Sequence, residues 1–280
     1  MLNKIFLQLP LLLTRKFFGL VTAITGKRFD LMFYHALGRS TKLSYQINGI
    51  SFDASFKAPW LRGERLFSKE PETIHWINEM MQPGDILYDI GANIGVYSLY
   101  AVSRGLKVYA FEPESSSYAI LNNNIKINSF DEQIKALNIA LNDTNMISHL
   151  NISNFQPGKS GHSFDKPINQ HGKEYVPEYK QACIGYRLDS LIHDFSLPVP
   201  NHIKIDVDGN EEKIIAGFGN LLNHSSLKSI MVEMNIGKES RDNIAGKILS
   251  FGFNEIEDKK YVNQEYLRAG CQNIFFVRRN

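Results

Sequence analysis

The chain has 280 residues, 43% of them hydrophobic and 21% charged, which suits one catalytic domain of ordinary size with an extension. With 31 basic and 29 acidic residues the net charge is only +2, and no basic stripe interleaved with aromatics occurs, so nucleic acid is not an expected partner. Cys183 and Cys271 lack metal-type spacing, which excludes a disulfide scaffold or zinc site and fits a reducing, cytoplasmic compartment.

The chain opens on an apolar run, Leu2 to Leu13, interrupted by Gln8 and Pro10 and followed by Arg15-Lys16 and Lys27-Arg28. The run is too short to span a bilayer and lacks a convincing small-residue cleavage site. Residues 1–29 read either as a basic amphipathic helix making peripheral contact with an anionic membrane or as a helix packed on the domain or a dimer partner. Next comes a hairpin, with Asn48-Gly49 as a two-residue turn between alternating segments. Residues 1–69 therefore form an N-terminal extension, and residues 70–280 the main domain.

Pro71 starts a helix to about Met81, with Glu72 in its first turn, and Pro83-Gly84 resets the chain. A buried strand follows through Ile86, Leu87 and Ile90; then come a Gly91–Gly95 turn, a helix to Arg104 closed by Gly105, and a second strand ending at Glu112. Pro113 suits the first turn of a helix with Tyr118, Leu121 and Ile125 on its apolar face, and Ile134 to Leu141 is the third strand. Asn142 to Gln181 is polar, rich in Gly, Ser, Pro and His, and long for a connection, which marks it as a lid or substrate-recognition loop. Ile203 to Val207 is strand four, Glu211 to Phe218 a helix and Leu227 to Glu233 strand five; Phe253 to Glu257 and Ile274 to Val277 are the last strands. This alternation predicts an α/β fold with a doubly wound, Rossmann-like sheet.

The turn after the first strand carries the chemistry. Glu112 lies about 20 residues past Gly91, where a carboxylate at the tip of the second strand can accept hydrogen bonds from both hydroxyls of a ribose. A dinucleotide fingerprint would place further glycines where Asn93 and Val96 stand, so the cradle for a pyrophosphate is incomplete. Asp89, just before the turn, would repel a pyrophosphate and suits the cationic amino and sulfonium groups of S-adenosylmethionine. Asn93 tolerates a tight turn because Asn enters left-handed backbone more readily than most residues.

Three runs in order, Asp89-Ile-Gly-Ala-Asn-Ile-Gly95, Phe111-Glu-Pro113 and Ile203-Lys-Ile-Asp-Val-Asp-Gly209-Asn-Glu211, resemble the FkbM-type family of S-adenosylmethionine-dependent O-methyltransferases. The resemblance covers roughly Glu70 to the C-terminus, with weaker echoes at Leu121 to Asn128, Ser160-Gly161 and Arg187 to Ser190. It implies a class I methyltransferase fold and transfer of a methyl group to a hydroxyl of a sugar, glycan or secondary metabolite. The family commonly has Glu where this chain has Asp208, one methylene shorter. The cofactor-binding set expected is Glu72, Asp89, Gly91, Ala92, Asn93, Gly95, Glu112, Pro113, Ala140 and Asp206.

Methyl transfer to a hydroxyl is an in-line displacement that needs alignment first and proton removal second. Strand alternation groups Lys204, Asp206 and Asp208 on one face, and ligands in open parallel sheets bind at the carboxyl ends of strands. Asp206 and Asp208 are the candidate bases; either could instead hold the methionine amino group, pair with Lys204 or cap the helix after Gly209. Asp206, Asp208, Glu211 and Glu233 could together bind magnesium, though the pattern requires no metal. His162, on the expected lid, is the next catalytic candidate, and His202 another. A nucleotide-dependent oxidoreductase and a non-catalytic adenosyl- or glycan-binding module are the alternatives.

Overall fold

In the computed structural model, residues 13, 16–24, 43–169, 171–235, 239–256, 259–263 and 270–279 are described. The chain divides into two compact units, residues 1–44 and 45–280. In the first, residues 16–24 are helical and expose Phe17, Leu20 and Ile24. The rest of the interfacial helix expected over residues 1–29 lies, apart from residue 13, outside the described residues. No described helix is long and apolar enough to cross a membrane.

The second unit is built on a seven-stranded sheet. Strands β3 (Ile86–Ile90), β4 (Lys107–Phe111) and β5 (Ile134–Leu137) pair in parallel, and on the other side of β3 come β10 (His202–Ile205) and β11 (Ser229–Asn235), also parallel. The final strand β13 (Cys271–Arg278) inserts antiparallel between β11 and β12 (Phe253–Glu255), giving the order β12-β13-β11-β10-β3-β4-β5. This is the doubly wound, Rossmann-like sheet that the alternation predicts, with one reversed strand.

Period-two alternation sorts the strand residues onto two apolar layers. Leu87, Val108, Met231 and Phe275 meet Trp76 of α2 (Pro71–Met80), Leu99 of α3 (Val96–Ser103) and Leu121 of α4 (Ser115–Asn128). Tyr88, Ile203, Ile230 and Phe276 meet Leu191 of α5 (Leu188–Asp194), Ile215 of α6 (Glu211–Ala216) and Ile248 of α7 (Glu239–Ser250). Full burial of one such side chain stabilises the fold by roughly 1.5–3 kcal/mol. Trp76 also satisfies its one donor, Nε1–H, on Ser229 Oγ at 2.9 Å.

The N-terminal hairpin of β1 (Ser44–Ile47) and β2 (Ile50–Asp53) joins this core through Ile50 and Phe52. Two asparagines of α4 act as its edge partner. Asn124 Oδ1 accepts from Asp53 N at 2.7 Å, while Asn128 accepts from Ser51 N at 2.8 Å and donates to Ser51 O at 2.7 Å.

Three local expectations are corrected. The strand expected over Ile134 to Leu141 breaks at Asn138-Ile139, and β6 (Ala140–Leu141) enters a second sheet. Asn138 Nδ2 donates to Glu112 O at 2.8 Å and Pro113 O at 3.0 Å, tying the bend to the tip of β4. The long polar connection contributes strands to that second sheet, ordered β6-β9-β7-β8, with β7 (Met146–Ile152) and β9 (Tyr179–Tyr186) antiparallel and β8 only Ser163–Phe164. Its strands expose Ile147, Tyr179 and Ile184, so its polar character reflects a half-solvated sheet. Helix α4 begins at Ser115 and not at Pro113, because Glu114 is its N-cap, accepting from Ser116 N at 2.8 Å and Ser117 N at 2.7 Å.

Candidate active site

A cavity of about 530 Å³ opens at the carboxyl ends of β3, β4 and β10, roofed by the segment Lys159–His162 and by β8. Its position follows the rule for open α/β sheets. One wall is the turn after β3. Gly91 has φ +80, and a Cβ there would collide with the carbonyl oxygen of Asp206, so glycine is required by the close approach of the β10 end as well as by the left-handed backbone. Asn93 is also left-handed, at φ 52. Gly95 lies below the wall as the N-cap of α3, where a Cβ would strike Leu121.

Glu112 ends this wall. Its Oε2 accepts from Asn93 N at 2.7 Å and its Oε1 from Glu114 N at 2.8 Å, which leaves the carboxyl hydrogen-bonding capacity for a ligand in the cavity it lines. Burial pushes its carboxyl up to about 8 despite both bonds.

The floor is ionic. Lys204, fully buried in β10, sits in register with Asp89 of β3; its Nζ is 2.7 Å from Asp206 Oδ2 and 3.9 Å from Asp89 Oδ1. Burial alone would discharge this lysine, but the two carboxylates outweigh it and hold the proton on. Asp206 is likewise held well below the usual carboxylate range by Lys204 and Lys69 against its burial. Glu233, buried and facing the Asp206 charge, is pushed up to about 9. The two carboxyls therefore titrate as a pair that holds one proton at neutral pH.

Among the described residues, Glu70, Asp206 and Glu233 bring three carboxylate oxygens within 4.8 Å of one another. The grouping differs from the expected metal set, since Asp208 and Glu211 lie outside it and Glu70 takes their place. Lys69 Nζ already sits 2.6 Å from Glu70 and Lys204 Nζ 2.7 Å from Asp206, so ammonium groups satisfy part of what a metal ion would.

Asp208 reaches the roof, where its Oδ2 accepts from Gly161 N at 2.6 Å, and burial raises its carboxyl above the ordinary range. His162 lines the same region. Its Nδ1 accepts from Ser153 N at 3.3 Å, and burial lowers its proton affinity, so the ring is neutral with its proton on Nε2. That Nε2 is buried without a hydrogen-bond partner.

Of the residues expected to bind cofactor, Gly91, Ala92, Asn93, Glu112, Pro113, Ala140 and Asp206 line the cavity, as do Asp208 and His162 of the catalytic set. Asp89, Gly95 and Glu72 do not. Asp89 is 1% exposed, bonded to Ser98 Oγ at 2.6 Å, so it meets Lys204 beneath the floor in place of a ligand's cation. Glu72 is buried against Asn273 Nδ2 at 2.9 Å, which satisfies it away from the cavity. His202 is corrected too. It starts β10 at the opposite end, bonded to Ser229 Oγ at 2.7 Å and Asp85 Oδ2 at 3.1 Å, and burial lowers it to about 4. Sequence reading missed Lys69 and Arg62 as cavity residues and Glu70 as the buried partner of Lys69; they lie N-terminal to the motifs, and no local pattern marks them.

The FkbM methyltransferase domain family matches residues 89–259. The hexuronic acid methyltransferase AglP of Haloferax volcanii is 27% identical over 65% of this chain and 66% of its own length. The 31-O-demethyl-FK506 methyltransferase FkbM of Streptomyces tacrolimicus is 44% identical over 16% of this chain and 18% of its own. A mouse tRNA (guanine(37)-N(1))-methyltransferase is 32% identical over 22% of this chain and 13% of its own. Each alignment thus spans less than two thirds of the relative. The match across most of the sheet domain, over a cavity placed where the motifs converge, makes this chain a member of the FkbM methyltransferase domain family.

Proposed function

We propose that the chain is an S-adenosylmethionine-dependent O-methyltransferase acting on a hydroxyl of a sugar, glycan or secondary metabolite, with residues 70–280 as the catalytic domain. The observation that carries this reading is the convergence of Glu112 and the Gly91 turn with Asp206 and Asp208 in one cavity. The cofactor would supply a methyl group on a cationic sulfur. Glu112 presents a carboxyl oxygen to accept from a ribose hydroxyl, and the carboxyl oxygens of Asp206 and Glu233 in the cavity lining can accept from the methionine ammonium.

Asp206 and Asp208 divide the work that sequence alone assigns to either. Asp206 has too low a proton affinity to be an effective base and is tied to Lys204, so it binds and orients. Asp208, with a raised proton affinity and a place on the cavity wall, takes the proton from the acceptor hydroxyl. His162, neutral with Nε2–H toward the site, donates to the acceptor or to the cofactor carboxylate.

An oxidoreductase is disfavoured because the Asn93 amide, which a pyrophosphate would need, already donates to Glu112. The AglP likeness supports a sugar acceptor, and peripheral membrane contact through residues 1–29 remains part of the proposal. The test is transfer of labelled methyl from S-adenosylmethionine to glycans and lipid-linked sugars from the source cell. Label on a hydroxyl oxygen supports the reading; label only on tRNA, or none on any acceptor, contradicts it.

A further inference from the structure

Beside the cavity, and sharing Arg62, Lys69, Lys159 and Ser160 with it, lies a groove of about 290 Å³. One side is α1 (Lys57–Glu64) with Arg65 at its end; the other is the segment Gly158–Ser160. Its lining contains Arg62, Arg65, Lys69 and Lys159 and no carboxylate. Lys69 is engaged by Glu70. Arg65, Lys159 and the terminal nitrogens of Arg62 have no ion-pair partner among the described residues, so the groove has uncompensated positive charge next to a floor whose charges are already paired.

The two sides are fastened together. Arg62 Nε donates to Gly158 O at 2.5 Å, and Gly158 N donates to Ser117 Oγ at 3.0 Å. Gly158 is left-handed, at φ +79, with Pro59 against the position of a Cβ. The same segment continues to Gly161, whose amide is held by Asp208. A group seated in the groove is therefore positioned relative to the residue assigned as base.

From this charge arrangement we infer that the acceptor is an anionic sugar, whose carboxylate or phosphate sits in the groove on Arg62, Arg65 and Lys159 while its hydroxyl enters the cavity. The inference rests on the methyltransferase reading for the identity of the reaction, but the groove can be tested without it. The groove attracts an anion, while the cavity floor, whose carboxylates are already matched by Lys69 and Lys204, offers it no free cation, so a single charge at one end of the acceptor fixes which end enters. Planar guanidinium groups suit both oxyanions by paired hydrogen bonds. The groove holds only about 290 Å³, and the chain's net charge is only +2, which favours a small acceptor over an RNA backbone.

The test is calorimetric binding of D-glucuronate, glucose 1-phosphate, glucose and bulk tRNA to the full chain, with and without saturating S-adenosylhomocysteine. At least one charged sugar should bind roughly tenfold or more tighter than glucose, the loss expected for a charged hydrogen bond. The better of the two identifies carboxylate or phosphate. An Arg65→Gln variant, at a groove residue outside the cavity lining, should lose most of this preference while keeping its affinity for S-adenosylhomocysteine, which also reports folding. Equal binding of glucose, a preference undiminished in the folded variant, or tRNA displacing both charged sugars would overturn the inference. Failure of the wild type to bind S-adenosylhomocysteine would instead sink the cofactor reading, with the sugar preference still read in its absence.

Discussion

One wall of the cavity, from Gly91 to Glu112, is made within a single strand–turn–helix–strand unit, and its bonds are between neighbours in sequence or adjacent strands, apart from Asn93 Nδ2, which donates to Lys159 O at 2.9 Å. The facing wall joins Arg62, Lys159 and Asp208, which distant parts of the chain deliver to one place. The first wall holds its ligand groups with backbone amides and a left-handed turn; the second does so with long side chains, a single loop and a charge balance. A local wall reads directly in the sequence, whereas an assembled wall depends on tertiary packing that brings distant residues together. Breaking each in turn separates the two.

The largest effect is expected at the ionic floor on which both walls stand. Lys204→Met leaves Asp89 buried without its cation, and breaking such a pair from one side costs about 3–5 kcal/mol. Denaturant unfolding should show it, and an unchanged midpoint would mean that the floor carries no such weight. In the facing wall, Asp208→Asn should lower turnover about 100-fold or more with cofactor affinity retained, the mark of a lost proton acceptor. The same assay should be insensitive to EDTA. Wild-type turnover in the variant would remove the assignment, and His162 would be tested next.

Much of this was legible because it is local. The buried run before Gly91, the left-handed Asn93 and the acidic tip at Glu112 each follow from residue type and spacing. The break at Asn138 was hidden, since its cause is a hydrogen bond to Glu112 O across neighbouring strands. Glu70 and Arg62 were hidden for the same reason, as residues that join the site only through tertiary packing. Asp89 and Glu72 show the converse: their positions are motif-like, but burial and a private partner take them out of the cavity.

A smaller, graded effect is expected from pH. Burial raises Glu211 to about 7 and Glu112 to about 8, and burial with the Asp206 charge raises Glu233 to about 9, all from 4.5. Each binds its proton more tightly when folded, so its contribution is complete below about pH 4.5 and is lost as pH rises through 7 to 9. Asp206 works oppositely, losing its contribution only on acidification below its ordinary range. The melting temperature of the cofactor-free protein should therefore fall from neutral to alkaline pH. A flat or rising profile would show that these carboxyls are not held protonated.

The most direct test of the account is a calorimetric titration of the wild type and of Glu112→Ala with S-adenosylhomocysteine and with NAD. The wild type should bind S-adenosylhomocysteine and ignore NAD. A folded Glu112→Ala should bind the former more weakly by about 1–3 kcal/mol, at about 0.5–1.5 kcal/mol for each ribose hydrogen bond lost. Tight NAD binding with no response to S-adenosylhomocysteine would contradict the cofactor assignment, and equal affinity in the variant would move the ribose away from Glu112.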